Sequence, residues 1–169
     1  KSDDFVYDRK ELAELRGNKY KSKRSSYNQF ARRGKGKYVP YAPKMRSACL
    51  KLYDGWAAQR KKTNTDDIYR TMIDESQKAH ALCLRYYKEL GLVGRVVMAG
   101  NEIIGYTFGF ELKKNVFCVL FEVTDLDVKG LSGYIFKEFC ADKAVKQFKF
   151  INVMDDFGLE NIRATKMSF

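Results

Sequence analysis

The fold is decided by the stretch Val93–Val123, VGRVVMAGNEIIGYTFGFELKKNVFCVLFEV. Within it lie three largely apolar runs, separated by the turn residues Gly100-Asn101 and Lys113-Lys114-Asn115: Val93–Ala99, Glu102–Leu112 and Asn115–Val123. Runs of this length and composition are typical of buried strands. Consecutive strands joined by such short turns pair antiparallel. The sequence therefore predicts an antiparallel meander of three strands.

The residues that follow the meander predict a strand–helix–strand–helix order. After the last strand of the meander, Gly130–Lys143 is predicted to be a helix and Phe148–Met154 a further strand. A helical crossover between two strands favours parallel pairing, so we expect a mixed sheet. A short helix is expected after Gly158.

Helices dominate the first half of the chain. We predict helices over Asp8–Leu15, Tyr20–Arg33, Met45–Lys62 and Ile68–Leu90, with an extended segment over Tyr38–Pro43. The long fourth helix is expected to bury one side, with residues spaced mostly three to four apart: Ile68, Met72, Ala79, Leu82, Cys83 and Tyr86. The expected class is α+β, and the length of 169 residues predicts a single domain over 1–169 with a basic, helical N-terminal part over 1–62.

The composition narrows the class of protein. A hydrophobic content of 45% fits a globular chain with a substantial core. No run approaches the roughly 20 apolar residues of a membrane span. The four cysteines are far apart and form no CxxC pair, which favours a reducing compartment and no metal site. We therefore expect a cytoplasmic location, with association with a membrane surface as the alternative. The single histidine, His80, lies in the middle of a predicted helix, where we expect a structural or surface role.

The positive charge is concentrated at the start of the chain. Residues 1–62 contain 18 Lys and Arg against 6 Asp and Glu, a net charge of +12, whereas residues 63–169 have a net charge of −1. The predicted polyanion-binding residues are six cations of one acid-free block: Lys19, Lys21, Lys23, Arg24, Arg32 and Arg33. Such a block favours tRNA or another RNA, or an anionic lipid surface. The alternative is a solvated helix face. Tyr20, Tyr27 and Phe30 lie among the charges and indicate packing, or platforms on which bases stack.

Acids, a glycine and a cationic helix face follow one another in the C-terminal run Ile151–Phe169. Asp155 and Asp156 come after the last predicted strand, and Arg163 and Lys166 share one face of the final helix. In open α/β sheets, ligands bind off the carboxyl ends of strands. The run is therefore a candidate site.

Five segments, taken in order, resemble the C-terminal domain of bacterial phosphatidylglycerol lysyltransferases. The basic start RGNKYKSKRSSYNQF (Arg16–Phe30) is similar to the family's KGRKYxxKRNxxNxF, and LGLVG (Leu90–Gly94) to its LGLxGG. EVTD (Glu122–Asp125) matches a strand that ends in EKA(D/N). GLSGYIFKEF (Gly130–Phe139) and NVMDDFGLENIRATKMSF (Asn152–Phe169) resemble GLYQAINQEF and NREEDLGIEGLRxAKxSY. The resemblance implies a GNAT-like fold and a transferase that moves an aminoacyl group from tRNA to a lipid headgroup.

The family pattern implies roles for particular residues. Acyl transfer needs a base for the proton of the nucleophile, and Glu122, at the end of a buried strand, is the first candidate because burial raises a carboxyl pKa. Asp155 and Asp156 are the other candidate catalytic carboxylates, or else they orient a cationic aminoacyl group or cap the final helix. The retained family positions that we expect to bind substrate are Asn152, Asp125, Gly158, Arg163 and Lys166. Lys129, Gly130 and Gly133 precede a helix and are expected to approach a phosphate.

Three interpretations stay open at this point. The first is the aminoacyltransferase. The second is an acetyl-CoA-dependent N-acetyltransferase, with acyl-CoA as the donor and its pyrophosphate at Gly130–Gly133. The third is a catalytically silent GNAT-like module that binds RNA or protein in a larger assembly. The third is favoured by apolar residues at four positions that are polar or charged in the family: Val123, Phe136, Val153 and Met154.

Overall fold

The computed structural model describes residues 3–169 and places one six-stranded sheet at the centre of the protein. The strands are β1 (Val6–Asp8), β2 (Gly36–Pro40), β3 (Val93–Ala99), β4 (Glu102–Lys113), β5 (Val116–Thr124) and β6 (Phe150–Asn152). The helices are α1 (Arg9–Glu14), α2 (Lys21–Ala31), α3 (Arg46–Thr63), α4 (Asp67–Arg85), α5 (Leu131–Ala141) and α6 (Glu160–Met167), with short 3₁₀ turns at Asn18–Tyr20 and Pro43–Met45. The spatial order of the strands is β1-β6-β5-β4-β3-β2.

The meander and the parallel crossover are both confirmed. Strands β3, β4 and β5 pair antiparallel in sequence order, and β5 pairs with β6 in parallel after the α5 crossover. Gly100 and Asn115, at the two turns, have positive φ angles of 60° and 65°. Glycine and asparagine tolerate this left-handed conformation, so the hairpins form where the sequence predicts them.

Strands β5 and β6 run together for only a short distance. They pair at three positions, Val116–Cys118 against Phe150–Asn152, and no further pairing joins them in the described chain. The pairing of β5 with β4 shifts between Phe108 and Gly109, so Leu120 is an extra residue in β5. Such a bulge bends a strand and increases its twist. The second half of β5 therefore has no strand partner on its β6 side.

Helices cover both faces of the sheet. On one face α3 and α4 enclose a core that includes Tyr53, Ile73, Leu84 and Phe108. On the other face α1 and α5 pack against β5 and β6, while α2 packs against α5. Burial of these large side chains supplies most of the stabilisation, at roughly 25 cal/mol per Å² of apolar surface.

The predicted buried side of α4 is wrong. Its buried residues are Tyr69, Ile73, His80 and Leu84, whereas Ile68 is 75% exposed and Leu82 57% exposed. The observed buried side is displaced by one residue from the predicted one. It includes Tyr69 and His80, and a search for regularly spaced apolar residues does not select these two polar side chains. The helix ends at Arg85 rather than Leu90.

One strand was not predicted. Val6–Asp8 pairs antiparallel with Phe150–Asn152 and forms the edge of the sheet beside β6. The predicted strand Phe148–Met154 is shorter in the structure, because β6 spans only three residues. The start of the chain thus contacts its last strand.

Candidate active site

A cavity of about 390 Å³ opens where β5 and β6 separate. Helices α3 and α4, the second half of β5 and the segment from β6 to α6 form its wall. The bulge at Leu120 and the short β6 together create this cavity. If β6 continued to pair with the second half of β5, the two strands would close the gap between them. Among the predicted catalytic and substrate-binding residues, Glu122 and Lys166 line the cavity.

Glu122 is a partly buried carboxyl on β5. Its Oε1 accepts a hydrogen bond of 2.7 Å from the Ser132 hydroxyl of α5. Burial raises the pKa of Glu122 from an ordinary value of 4.5 to about 7, although the Ser132 hydrogen bond opposes this shift. The direction is the one that a buried strand predicts. A carboxyl with this pKa is populated in both protonation states near neutral pH and is suited to proton transfer. Its catalytic role stays a prediction.

His80 contributes a neutral imidazole to the cavity wall. Its Nδ1 lies 2.9 Å from the hydroxyl of Tyr106, and its ring stacks on Phe121 with centroids 3.9 Å apart. Burial lowers its pKa to about 4, because a charged imidazole would lose its hydration. These contacts fix the ring against β4 and β5, as the expected structural role requires.

The predicted acids Asp155 and Asp156 lie in the loop after β6 and do not line the cavity in the described chain. Asp156 is buried, and its Oδ1 accepts a hydrogen bond of 2.9 Å from the Gly158 N–H. Its Oδ2 lies 4.0 Å from Nε of Arg163, which is exposed. Within the described residues these contacts shape the loop, and a role for either acid as base stays a prediction.

Asn152 and Lys166 hold the same loop from its two ends. Asn152 is buried, donates to Asp4 Oδ2 at 2.8 Å and accepts from the Met154 N–H at 2.7 Å. The Lys166 ammonium donates to the carbonyls of Val153 at 2.5 Å and Met154 at 3.2 Å. Burial lowers the pKa of Lys166, while the nearby carboxylates oppose the shift. Both side chains position the β6–α6 segment that forms one wall of the cavity.

The other predicted substrate and phosphate residues lie elsewhere. Asp125 accepts a hydrogen bond of 3.0 Å from the Asp127 N–H and lines a separate cavity of about 510 Å³ beside α3. Gly130 and Gly133 pack against α2: a Cβ added at Gly130 would lie 2.4 Å from the Ser26 carbonyl oxygen. Close approach of α2 thus gives these glycines a packing role, and phosphate binding by them and by the exposed Lys129 stays a prediction.

The six cations of the predicted polyanion site separate into two groups. Lys21, Arg24 and Arg32 line an open cleft of about 560 Å³ on α2. The other three are placed elsewhere: Lys19 pairs with Glu11 at 2.6 Å, Lys23 lies over the Phe169 ring at 3.8 Å, and Arg33 is exposed.

The aromatic residues among these charges are packed. Tyr20 and Phe30 are buried, and the Tyr27 hydroxyl donates to Glu138 at 2.6 Å. The sequence left two roles open for these rings, packing or stacking with bases. The structure places them in packing contacts.

Sequence reasoning missed Arg60 as a cavity residue. Arg60 lies in the last turn of α3, beside the Trp56 ring at 5.7 Å, and lines the cavity. The run Arg60-Lys61-Lys62 resembles an ordinary basic helix end, which stabilises a helix through its dipole. Only the packing of α4 against α3 distinguishes Arg60 from its neighbours.

The family profile described as "Phosphatidylglycerol lysyltransferase, C-terminal" matches residues 1–169. The chain belongs to this family. Its fold and its acyltransferase-like character follow from that membership, and the sequence resemblance is confirmed. Among curated proteins, no sequence matches the chain.

Solved structures share the fold of this chain. A conserved protein of unknown function from Bacteroides thetaiotaomicron shares 27% identity with a TM-score of 0.86, over 99% of this chain and 55% of that one. The C-terminal domain of a protein named as a lysylphosphatidylglycerol synthetase from Agrobacterium fabrum has 14% identity and a TM-score of 0.64, over 99% and 56%. L-PGS from Bacillus licheniformis has 13% identity and a TM-score of 0.61, over 98% and 51%. The chain spans about half the length of these proteins.

The apolar replacements at family positions have visible places in the fold. Val153 and Met154 line the cavity, Val123 is 1% exposed, and the Phe136 ring lies 5.2 Å from that of Phe169. Met154 adopts a positive φ of 63°, which is uncommon for a residue other than glycine. The cavity of this family member is therefore less polar than the family pattern predicts.

Proposed function

We propose that the chain is an acyltransferase domain that moves an aminoacyl group from tRNA to the headgroup of an anionic lipid. The observation that carries the proposal is Glu122: the residue borders the cavity at the unpaired part of β5, and its carboxyl, with a pKa of about 7, lies against Ser132 on the α5 side of the sheet. In this proposal its carboxylate accepts the proton of the attacking hydroxyl or amine. Membership in the family supports acyl transfer as the reaction type.

The unpaired edge of β5 supplies a second element of the mechanism. Within residues 3–169, β5 has no strand partner on its β6 side beyond Cys118. Backbone N–H groups on that side are oriented by the pairing of β5 with β4. Such fixed donors stabilise the negative charge that develops on the carbonyl oxygen of an acyl donor.

The cleft on α2 supports a tRNA donor. Lys21, Arg24 and Arg32 line it together with the amides of Asn28 and Gln29. Cations and amide donors along one helix face suit a row of phosphates, whose counterions are released on binding.

Exposed apolar side chains near the cavity support a lipid acceptor. Ile68 is 75% exposed and Phe157 56% exposed, and both line a groove of about 480 Å³ beside the cavity. Exposed apolar side chains beside a site suit contact with a membrane surface. None of the helices in residues 3–169 combines the length and the apolar composition that crossing a bilayer requires. In this proposal the domain works at the cytoplasmic surface of an anionic membrane.

A transfer assay tests the proposal. The chain is incubated with aminoacyl-tRNA charged with labelled amino acids and with vesicles that contain phosphatidylglycerol, and labelled lipid is measured. We expect product with the wild-type chain and a loss of at least about 100-fold with Glu122→Gln, since general acid–base catalysis contributes 10²–10⁴-fold. Glu111→Gln, an exposed glutamate on β4, is the matched control with full activity. Equal turnover by the two variants would refute the role of Glu122.

The second candidate is a catalytically silent module that binds RNA or protein in a larger assembly. Val153 and Met154 in the cavity wall favour it, because they remove two polar groups of the family from this position. Under this interpretation every labelled amino acid fails in the assay, while binding of RNA to the α2 cleft persists.

A further inference from the structure

The wall of the β5–β6 cavity is mostly apolar and aromatic. Met72, Phe121, Met154, Phe157 and Ile162 all line it. Side chains of this kind gain stabilisation when an apolar ligand displaces water from them. The cavity is therefore built for a ligand with a substantial apolar part.

The charged groups of the described lining are Arg60, Lys166 and Glu122. A positively charged ligand would meet two cations, while the carboxyl of Glu122 points to the α5 side of the sheet, where it accepts a hydrogen bond from Ser132. Electrostatic complementarity therefore disfavours a cationic group, such as a lysine side chain, and favours an anionic one.

The two cations differ in what they already contact. The ammonium of Lys166 is engaged by the loop carbonyls of Val153 and Met154. Arg60 forms no ion pair in residues 3–169, and its Nε is buried without a hydrogen-bond partner there. The Nη groups of the same guanidinium are not among the buried atoms and form no hydrogen bond in these residues, so a ligand oxygen that accepts from them gives Arg60 its first polar partner. Guanidinium groups bind carboxylates in a two-pronged geometry.

We propose that this cavity binds an apolar carboxylate, with its carboxylate paired to Arg60 and its apolar part against Met72 and Phe121. For its place in a reaction the inference rests on the proposed acyl transfer, but the binding itself needs no turnover. The carboxylate has two possible sources: a free fatty acid or an apolar amino acid. Both share the chemistry that Arg60 and the apolar wall recognise.

The single tryptophan of the chain is a reporter inside this site. Trp56 lines the cavity and lies beside the Arg60 guanidinium. Titration of its fluorescence therefore measures ligand binding directly. The probes are decanoate, decylamine, decan-1-ol and L-phenylalanine, each below the concentration at which it aggregates, and calorimetry provides a second measurement of affinity.

We expect saturable binding of decanoate or of L-phenylalanine, and the stronger of the two identifies the source. Decylamine is expected to bind at least about 10-fold more weakly than decanoate. Arg60→Met should weaken decanoate binding by about 10-fold to 100-fold, the effect of losing a hydrogen bond to a charged group, and leave decan-1-ol binding unchanged. Arg85→Met, an exposed arginine at the end of α4 outside the cavity, is the matched control. Arg60→Lys keeps the charge and should bind decanoate with intermediate affinity.

The inference is overturned if decylamine binds as tightly as decanoate, if Arg60→Met binds decanoate like the wild type, or if no probe alters Trp56. Glu122→Gln separates this outcome from the proposed function. That variant should lose transfer and still bind decanoate. If the wild-type chain binds decanoate through Arg60 but shows no transfer activity, the binding inference is supported and the proposed transferase function is refuted.

Discussion

Glu122 is a carboxyl that the fold keeps partly protonated. Its pKa of about 7 lies above its ordinary value of 4.5. Between these two pH values the folded protein binds a proton that the unfolded chain releases, so stability falls as the pH rises through this window. Glu122 therefore destabilises the protein at the pH at which a base is needed, as functional residues often do.

This linkage gives a prediction for Glu122→Gln. The amide keeps an oxygen that accepts the Ser132 hydrogen bond and carries no charge. We expect the variant to be more stable than the wild type at pH 8 by about 1–2 kcal/mol, after allowance for partial exposure, and equal to it at pH 4.5. Urea unfolding at both pH values measures the difference. Glu111→Gln should show no such pH dependence, and equal stability of Glu122→Gln and wild type at pH 8 would contradict the raised pKa.

Single residues differ in how well the sequence predicts them. Glu122 was found because an apolar strand ends at a carboxylate, which is a local pattern. Arg60 and His80 were not found as cavity residues because their position depends on how α3 and α4 pack against β5. Asp155 and Asp156 belong to a predicted run, but the turn at Gly158 directs Asp156 back to the loop backbone.

At the scale of elements, the contact of α2 with the start of α5 depends on glycine. Gly130 has a φ of 82°, and the Ser26 carbonyl leaves no room for a side chain there. A longer side chain would separate the basic helix from the helix that carries Ser132. The polyanion cleft and the carboxyl of Glu122 are thus connected through one packed pair of helices.

Replacement of this glycine by alanine should therefore be costly. We expect Gly130→Ala to destabilise the protein by about 3 kcal/mol or more, which combines the left-handed backbone with the displacement of α2. Gly91→Ala is the matched control: it has a φ of 64° and open space around it, so only the backbone cost of about 1–2 kcal/mol applies. Thermal and urea unfolding compare the two. Equal destabilisation of the two variants would show that α2 moves away from residue 130 at no cost in free energy.

Elements with a strong local pattern were predicted best. The meander follows from largely apolar runs bounded by turn residues, and the crossover follows from the order of elements. The buried side of α4 was predicted incorrectly, because it includes Tyr69 and His80, and the hydroxyl of Tyr106 that contacts His80 comes close only in the folded protein.

At the scale of the whole molecule, the polyanion cleft and the cavity lie on different elements. The net charge of +12 belongs to residues 1–62, and of the cleft cations Lys21 and Arg24 lie in α2 while Arg32 directly follows it. A polyanion bound there contacts the protein mainly through phosphates. Its affinity should depend steeply on salt.

The double variant Lys21→Gln/Arg32→Gln tests this cleft. Each lost phosphate contact lowers the slope of log K against log salt by roughly 0.7–0.9, so we expect a decrease of roughly 1.4–1.8 in tRNA binding. Lys143→Gln/Lys146→Gln removes the same charge from exposed positions after α5 and is the control. Binding of tRNA is measured between 50 and about 300 mM salt by fluorescence anisotropy. The cleft is not the binding surface if both double variants lower the slope equally.

The position of β1 was the least predictable feature of the molecule. Three residues at the start of the chain pair with three residues near its end. Such a short strand has no periodicity of its own, and its partner is too far away in sequence for any local pattern to indicate the pairing. The pairing is determined by the edge of β6, which is open to a further strand once the rest of the sheet has formed.

The pairing of β1 with β6 determines which part of the sheet forms last during synthesis. The hydrogen bond from Asn152 to Asp4 joins residues 148 positions apart. On the ribosome, Val6–Asp8 therefore stay without a strand partner until Phe150–Asn152 have emerged, and contacts this distant form late because a long loop must close first. The cavity wall that Asn152 and Lys166 position is completed in the same late step. A variant truncated before Phe150 should accordingly possess the meander but neither the edge strand nor a closed cavity.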